Sequence, residues 1–406
     1  MNKTSDPTLF FRAFDELRRK ARAGDKHDAD ELLAALCSLV RADTNLKRAS
    51  GRMSLLAEVM QRYGLTAPAD TPQRSTVNEL DNYVHDVRDG VSIVTCCMNR
   101  NENLVRALRS WLALRMVDEV VILDWSSARP VEDSITAAGL TDDRVTVARI
   151  DNERRWILTV AFNAAFRLSR FSRILKLDAD LMVEPHFFER NRLRWGTFVA
   201  GDWRKARAGQ EYINGIVYVH RDDLFAVNGF NEFIKSYGWD DSDLYSRLDA
   251  RRLRRLSVDP ATVRHLDHTD AERLGPPVAH TALHALLHDP SVAIKRNRFI
   301  ANVLPRWGRA LPMSPFLVKA DGARLRLVRL GTPQESEAPA WIMEDANYYV
   351  VLEWLSRRYG LEPVLIDKVR LLELLAHHSL ADLDERFGRR LVEPRDSGVP
   401  EVLALQ

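Results

Sequence analysis

From about residue 91 onward, short apolar runs alternate with stretches whose apolar residues recur every three or four positions. Val91-Ser92-Ile93-Val94-Thr95-Cys96, Val120-Val121-Ile122-Leu123, Val145-Thr146-Val147-Ala148-Arg149-Ile150 and residues 173–177 read as strands. Between them, residues 102–114 put Leu104, Ala107, Leu108, Trp111 and Leu112 on one helical face, and residues 131–138 and 156–168 read as further helices. Strands alternating with helices of this length predict an α/β fold: a mostly parallel central sheet, flanked by helices, with right-handed crossovers. Ligands of such sheets bind outside the carboxyl ends of the strands. Thr95, Asp124, Asp151 and Asp178 fall at the predicted ends.

The flanks read differently. Residues 8–63 carry helical spacing, with Leu9, Phe10, Phe14 and Leu17, then Leu32, Leu33, Leu36, Leu39 and Val40. Pro68 and Pro72 mark 67–76 as a linker. Residues 1–75 are thus expected to be a helical unit, packing either on the main domain or on a second copy of the chain, as in a homo-oligomer. Past Asp180 the spacing predicts strands at 195–200 and 212–220, a turn at 228–232, a helix at 241–254 and a strand over 258–268. Residues 276–310 read as irregular. Residues 316–318 and 325–328 suggest a hairpin around Asp321-Gly322, and 341–359 and 368–377 read as helices. The expected division is 1–75, a main domain at 88–305 and an α+β extension at 306–406.

Composition narrows the function. The 406 residues are 46% hydrophobic and 29% charged with a net charge of +2, so no strong field favours nucleic acid. Three cysteines, two of them adjacent, give neither a disulfide framework nor zinc spacing. No apolar run reaches the length of a membrane span, and the first residues lack a signal-peptide core. A cytoplasmic protein is expected, peripheral at the inner face of the membrane if its substrate is lipid-linked.

The run Ile174-Leu175-Lys176-Leu177-Asp178-Ala179-Asp180-Leu181 takes a buried strand into two carboxylates one residue apart. A hydrophobic core has no use for that pair, whereas hard oxygens at one point suit a hard divalent cation carrying a phosphate ligand. His280, His284 and His288 recur every four residues; a packing or solvated face competes with a second metal site there. Cys96 and Cys97 have no histidine nearby in sequence to activate them.

Several ordered pieces resemble a known family. Asn99-Arg100-Asn101-Glu102-Asn103-Leu104, Arg154-Arg155-Trp156-Ile157-Leu158-Thr159-Val160-Ala161-Phe162-Asn163, Asp178-Ala179-Asp180, Asn228-Gly229-Phe230-Asn231, Trp239-Asp240-Asp241-Ser242-Asp243-Leu244-Tyr245 and Arg264-His265 follow one another as in GT-A glycosyltransferases of the galactosyltransferase group. Asp124-Trp125-Ser126-Ser127 is closer to bacterial family-2 transferases. The chain departs from the group at Cys96-Cys97-Met98, where a basic nucleotide contact is missing, in the order Gly238-Trp239, and in having Asp240 for Glu. The donor sugar need not be galactose.

The resemblance implies a GT-A, Rossmann-like sheet and a metal-dependent transfer of sugar from a nucleotide donor, UDP-linked, to a hydroxyl of a saccharide or lipid-linked saccharide. It implies manganese or magnesium on Asp180, with Asp178 binding ribose or the metal through water. His265 is the third protein ligand, with His268 as its alternative. It implies a donor set of Thr95, Arg100, Asp124, Arg154 and Asp178. Asp240, Trp239 and Tyr212 are the acceptor set, core packing competing for the two aromatics. Asp241 is the general base, with helix capping as the competing role for Asp240 and Asp241. One base on the acceptor side implies inversion at the anomeric carbon. A nucleotidyltransferase on a similar sheet would want a glycine-rich basic loop that is absent, and a decayed sugar-binding module would not need these acids intact.

Overall fold

The structure is a computed structural model that describes residues 7–41, 46–65, 76–266, 281–321, 324–359 and 368–385. Its centre is a mostly parallel sheet, as expected. β2 (Arg88–Cys97), β3 (Glu119–Trp125), β4 (Val145–Ile150) and β5 (Phe171–Lys176) alternate with α4 (Asn101–Leu112), α5 (Val131–Ala137) and α6 (Leu158–Leu168). β3 is buried at every position, because helices cover both faces of a parallel sheet. On α4 the expected stripe is buried: Leu104, Ala107, Leu108 and Trp111. The Trp111 indole satisfies its buried N–H by donating to the carbonyl of Leu181 at 2.9 Å.

Neighbouring strands lie in the order β4-β3-β2-β5, all parallel. The chain moves outward from β2 to β4, then returns to the other side of β2 as β5. That reversal opens a crevice between the carboxyl ends of β2 and β5, where open α/β sheets bind ligands. The residues after β2 are Asn99 and Arg100; those after β5 are Asp178 and Asp180. β6 (Leu181–Val183) follows the two acids and pairs antiparallel with β10 (Val263–His265). Beyond β5 the sheet continues antiparallel through β8 (Val217–His220) and β7 (Thr197–Ala200), then parallel to β9 (Arg254–Ser257).

Several elements differ from expectation. β2 runs through Cys97, so Thr95 lies inside the strand and not at its end. Tyr212 to Gly215 form a turn, and the strand starts only at Val217. The helix expected at 241–254 is α9, Asp240–Ala250; Arg254 already belongs to β9. The expected strand over 258–268 is a short 3-10 turn followed by β10. The stretch read as irregular contains α10 (Ala282–His288) and α11 (Pro290–Val303). Pro290 starts α11 instead of breaking it: its missing N–H is not needed at a first helical position, and Asp289 caps the backbone of Ser291 and Val292.

The hairpin forms as β11 (Phe316–Asp321) and β12 (Arg324–Arg329), but it belongs to the main sheet. β12 pairs parallel with β4, and β1 (Thr76–Glu79), within and beyond the expected linker's end, pairs with β11. The N-terminal helices α1 (Pro7–Arg22), α2 (Lys26–Arg41) and α3 (Leu46–Tyr63) bury Phe10, Leu17, Leu33 and Leu36 together with Leu317 and Leu330 from around the hairpin.

Two compact units can be told apart in the chain. One compact unit comprises Met1–Glu232, Leu244–Leu266 and Gly308–Glu337; the other comprises Phe233–Asp243, Asp267–Trp307 and Ala338–Gln406. The second has its own apolar cluster, with Leu286, Val292, Val351, Leu355 and Leu375 drawn from α10, α11, α12 (Ala340–Tyr359) and α13 (Lys368–His377). Among the described residues, no helix is long and apolar enough to cross a membrane.

Candidate active site

The crevice between β2 and β5 gathers an arginine, an aspartate and a histidine from three distant parts of the chain. Arg100, at the start of α4, donates from Nη1 to Asp180 Oδ2 at 2.7 Å. The same carboxylate oxygen lies 3.8 Å from His265 Nε2. Strand register accounts for the histidine: His265 is paired with Leu181, one residue past Asp180, and the N–H of Leu266 donates to the Asp180 carbonyl at 2.7 Å. Asp180 and His265 are both nearly buried. The loop before β8 closes over the imidazole. Gln210 accepts from the His265 N–H at 2.7 Å, and the half-exposed Tyr212 ring lies 5.0 Å from the imidazole.

Asp178 is held from the other side. Its Oδ1 accepts from Lys176 Nζ at 2.8 Å. Lys176 is wholly buried, with its ammonium 4.5 Å above the Phe162 ring and 5.8 Å from that of Phe230. Gly215 passes so close that an added Cβ would lie 2.3 Å from Asp178 Oδ2. Asn163 of α6 locks the Asn228-Gly229-Phe230 segment below: it donates to the Phe230 carbonyl at 2.9 Å and accepts from the Phe230 N–H at 2.7 Å. Asn228 and Gly229 both have positive φ, and a Cβ on Gly229 would strike Asn163 Oδ1, so glycine is required there. Two motifs far apart in sequence are thus one support beneath Lys176 and Asp178.

The Asp180–His265 pair fits a divalent cation. Metal–donor distances are about 2.0–2.6 Å, so two donors 3.8 Å apart can share one ion. His265 lies where a ligand beside Asp180 is expected, whereas Asp178 is held by Lys176. Among the described residues no three His, Cys, Asp or Glu side chains converge on a metal position, because Asp178 is paired with Lys176. Two protein donors leave the remaining positions for phosphate oxygens and water.

Two other expected donor residues are buried. Asp124 is fully buried and committed to structure: it accepts from the backbone N–H of Ser127 at 2.9 Å and of Val131 at 3.0 Å, and it pairs with Arg149. It shapes the loop after β3 and caps α5 instead of presenting an acceptor to a nucleotide. Thr95 is likewise without exposed surface. Arg154 is exposed in the loop before α6. Cys96 and Cys97 are buried, and burial pushes both thiols up, Cys97 to about 12, which removes any nucleophile reading. His268 and His280 lie outside the described residues, and positions 284 and 288 fall on α10.

Trp239, Asp240 and Asp241 belong to the second unit. Gly238 and Trp239 both have positive φ, and Asn297 of α11 fixes this bend by donating to the carbonyls of Ser236, Tyr237 and Gly238. The Arg298 guanidinium lies 5.1 Å over the Trp239 ring. Asp240, Asp241 and Asp243 crowd the first turn of α9, where negative charge complements the helix dipole. Asp240 is buried and Asp241 half-buried.

Sequence reasoning missed Lys176 and Gln210. A lysine inside an apolar strand two residues before an aspartate was the visible signal for the first; nothing marked the second.

Residues 92–194 match the family model described as glycosyl transferase family 2. Residues 197–269 match the model described as the N-terminal domain of galactosyltransferase. Both agree with the resemblance drawn from the motifs. A search of curated proteins found no match. Among solved structures, the catalytic domain of Drosophila β1,4-galactosyltransferase 7 in complex with xylobiose is similar at 12% identity and a TM-score of 0.35, over 50% of this chain and 79% of that one. Glucosyl-3-phosphoglycerate synthase from Mycobacterium tuberculosis, in complex with manganese, UDP and glucosyl-3-phosphoglycerate, is similar at 15% identity and a TM-score of 0.36, over 58% and 88% of the two chains.

Proposed function

We propose that the glycosyltransferase domain over residues 92–194 and 197–269 moves a sugar from UDP to a hydroxyl of a saccharide or lipid-linked saccharide, with inversion at the anomeric carbon. The observation that carries this reading is Asp180, held between the Arg100 guanidinium and the His265 imidazole in the crevice where the strand order reverses. A hard oxygen beside an imidazole favours manganese over magnesium. When bound, the cation neutralises charge on the leaving diphosphate as a Lewis acid.

Asp180 and His265 hold the cation. Arg100 pairs a diphosphate oxygen, for which a guanidinium fork is well shaped. Asp178, oriented by Lys176 and Gly215, hydrogen-bonds ribose or a metal-bound water. Tyr212, tilted against His265 at 5.0 Å and half exposed, offers an aromatic face to sugar C–H groups. Asp241 keeps the role of general base, and Asp240 and Trp239 that of acceptor contacts, on the sequence reading. In the reaction the acceptor oxygen bonds to the anomeric carbon, the bond from that carbon to the phosphate oxygen breaks, and the acceptor proton passes to Asp241. A positioned base of this kind contributes roughly 10²–10⁴ in rate. Bacterial surface glycan synthesis is the setting that suits such an acceptor.

A panel of UDP-sugars, assayed for acceptor-dependent UDP release with manganese and analysed by NMR of the product, tests the reading. Inversion is expected, and Asp241→Asn is expected to keep nucleotide binding while losing transfer. Retention of configuration, or a fully active Asp241→Asn enzyme, would overturn the assignment.

A further inference from the structure

We infer that Arg100 is a placeholder for the cation on Asp180, and that its release to the diphosphate makes metal and nucleotide bind as a coupled pair. This rests on the metal-site reading above. Arg100 Nη1 contacts the very oxygen of Asp180 that faces His265. Both side chains of the ion pair are largely removed from solvent, at 21% and 7% exposure, so screening by water is weak. A cation taking that oxygen would sit beside the guanidinium, and the like charges repel.

The second acid is neutralised too, but differently. Lys176 is wholly buried between Asp178 and the Phe162 and Phe230 rings, and has nowhere to go. Arg100 does. Its backbone is anchored at the start of α4, where its carbonyl accepts from the Leu104 N–H at 3.0 Å, while its long side chain reaches across the mouth of the crevice. With both carboxylates already paired, the Asp-x-Asp offers a bare ion little attraction. An ion arriving alone would also strand a guanidinium beside it. A diphosphate removes both obstacles, since it brings negative charge to the ion and takes the freed guanidinium. Coupling of this kind is reciprocal: whatever factor the nucleotide adds to metal affinity, the metal adds to nucleotide affinity.

The test titrates the full chain with manganese alone and with manganese in the presence of UDP, following bound metal by electron paramagnetic resonance. The wild type is expected to bind manganese weakly alone and about 10–100-fold more tightly with UDP, the range of one charge-assisted hydrogen bond. Arg100→Met is expected to bind manganese alone about 10–100-fold more tightly than the wild type and to lose most of the gain from UDP. Arg100→Gln is judged by the same two results if the methionine variant does not fold. Unchanged affinity for manganese alone, or an undiminished gain from UDP, would overturn the placeholder role. Asp180→Ala separates this from the reading beneath it. If it abolishes manganese binding while the Arg100 variants behave as wild type, only the placeholder fails; if it binds manganese normally, the metal site itself is misplaced.

Discussion

Gly215 is the position where one methyl group should disable the site through Asp178. Its backbone φ is one that any residue adopts, so alanine brings no conformational strain. The added Cβ would sit 2.3 Å from Asp178 Oδ2 and 2.8 Å from Lys176 Nζ. Asp178 must therefore retreat by about 1 Å, and a misplacement of that size costs about 10²-fold in rate when a group positions a substrate. Overpacking in a tight core costs about 1–3 kcal/mol. Asp178 is 31% exposed and can turn toward solvent, but the wholly buried Lys176 then loses that partner, so the upper end of that range applies to stability. The assay is a double-mutant cycle of Gly215→Ala, Asp178→Ala and the pair, read by manganese-dependent UDP binding and by initial rate of transfer. If Gly215 acts through Asp178, the pair is no worse than Asp178→Ala alone. Losses that add, or a Gly215→Ala enzyme of wild-type rate, would refute the reasoning.

Other expectations follow from the same geometry. Asn163→Ala strands the Phe230 backbone and the buried Glu232 carboxylate, to which Asn163 donates at 2.9 Å, and should lower unfolding stability by about 1–3 kcal/mol, read as a lower urea midpoint at unchanged slope. Cys37, Cys96 and Cys97 are all buried, and burial holds the Cys96 and Cys97 thiols protonated well above pH 8. The native protein should then leave a disulfide reagent unreacted at that pH and release three equivalents only in denaturant. His265→Ala should weaken manganese binding in the presence of UDP while leaving UDP binding in a chelator unchanged, as isothermal calorimetry would show.

Much of this was legible because buried parallel strands and amphipathic helices write their periods plainly. β4 matches its expected bounds, and α4 buries the stripe its spacing announced. The pairing of Asp180 with His265 was legible only through motif order, since the register of β6 on β10 is a tertiary fact. Asp124 misled for a physical reason. An aspartate at a strand end serves a nucleotide or the next helix equally well by sequence, and here Ser127, Val131 and Arg149 consume it. The helix α11 fell in a stretch read as irregular, although Asp289-Pro290 is a capping signal. The hairpin's place was beyond sequence altogether, because nothing in residues 316–329 states which edge strand they join.

The most direct test is manganese-dependent UDP release by the wild type and by Asp180→Ala, with acceptor present. The account predicts that chelation stops the wild type and that the variant loses activity by about 10²-fold or more, in line with removal of a charge-stabilising group. Release at an equal rate in chelator, or by Asp180→Ala, would contradict it.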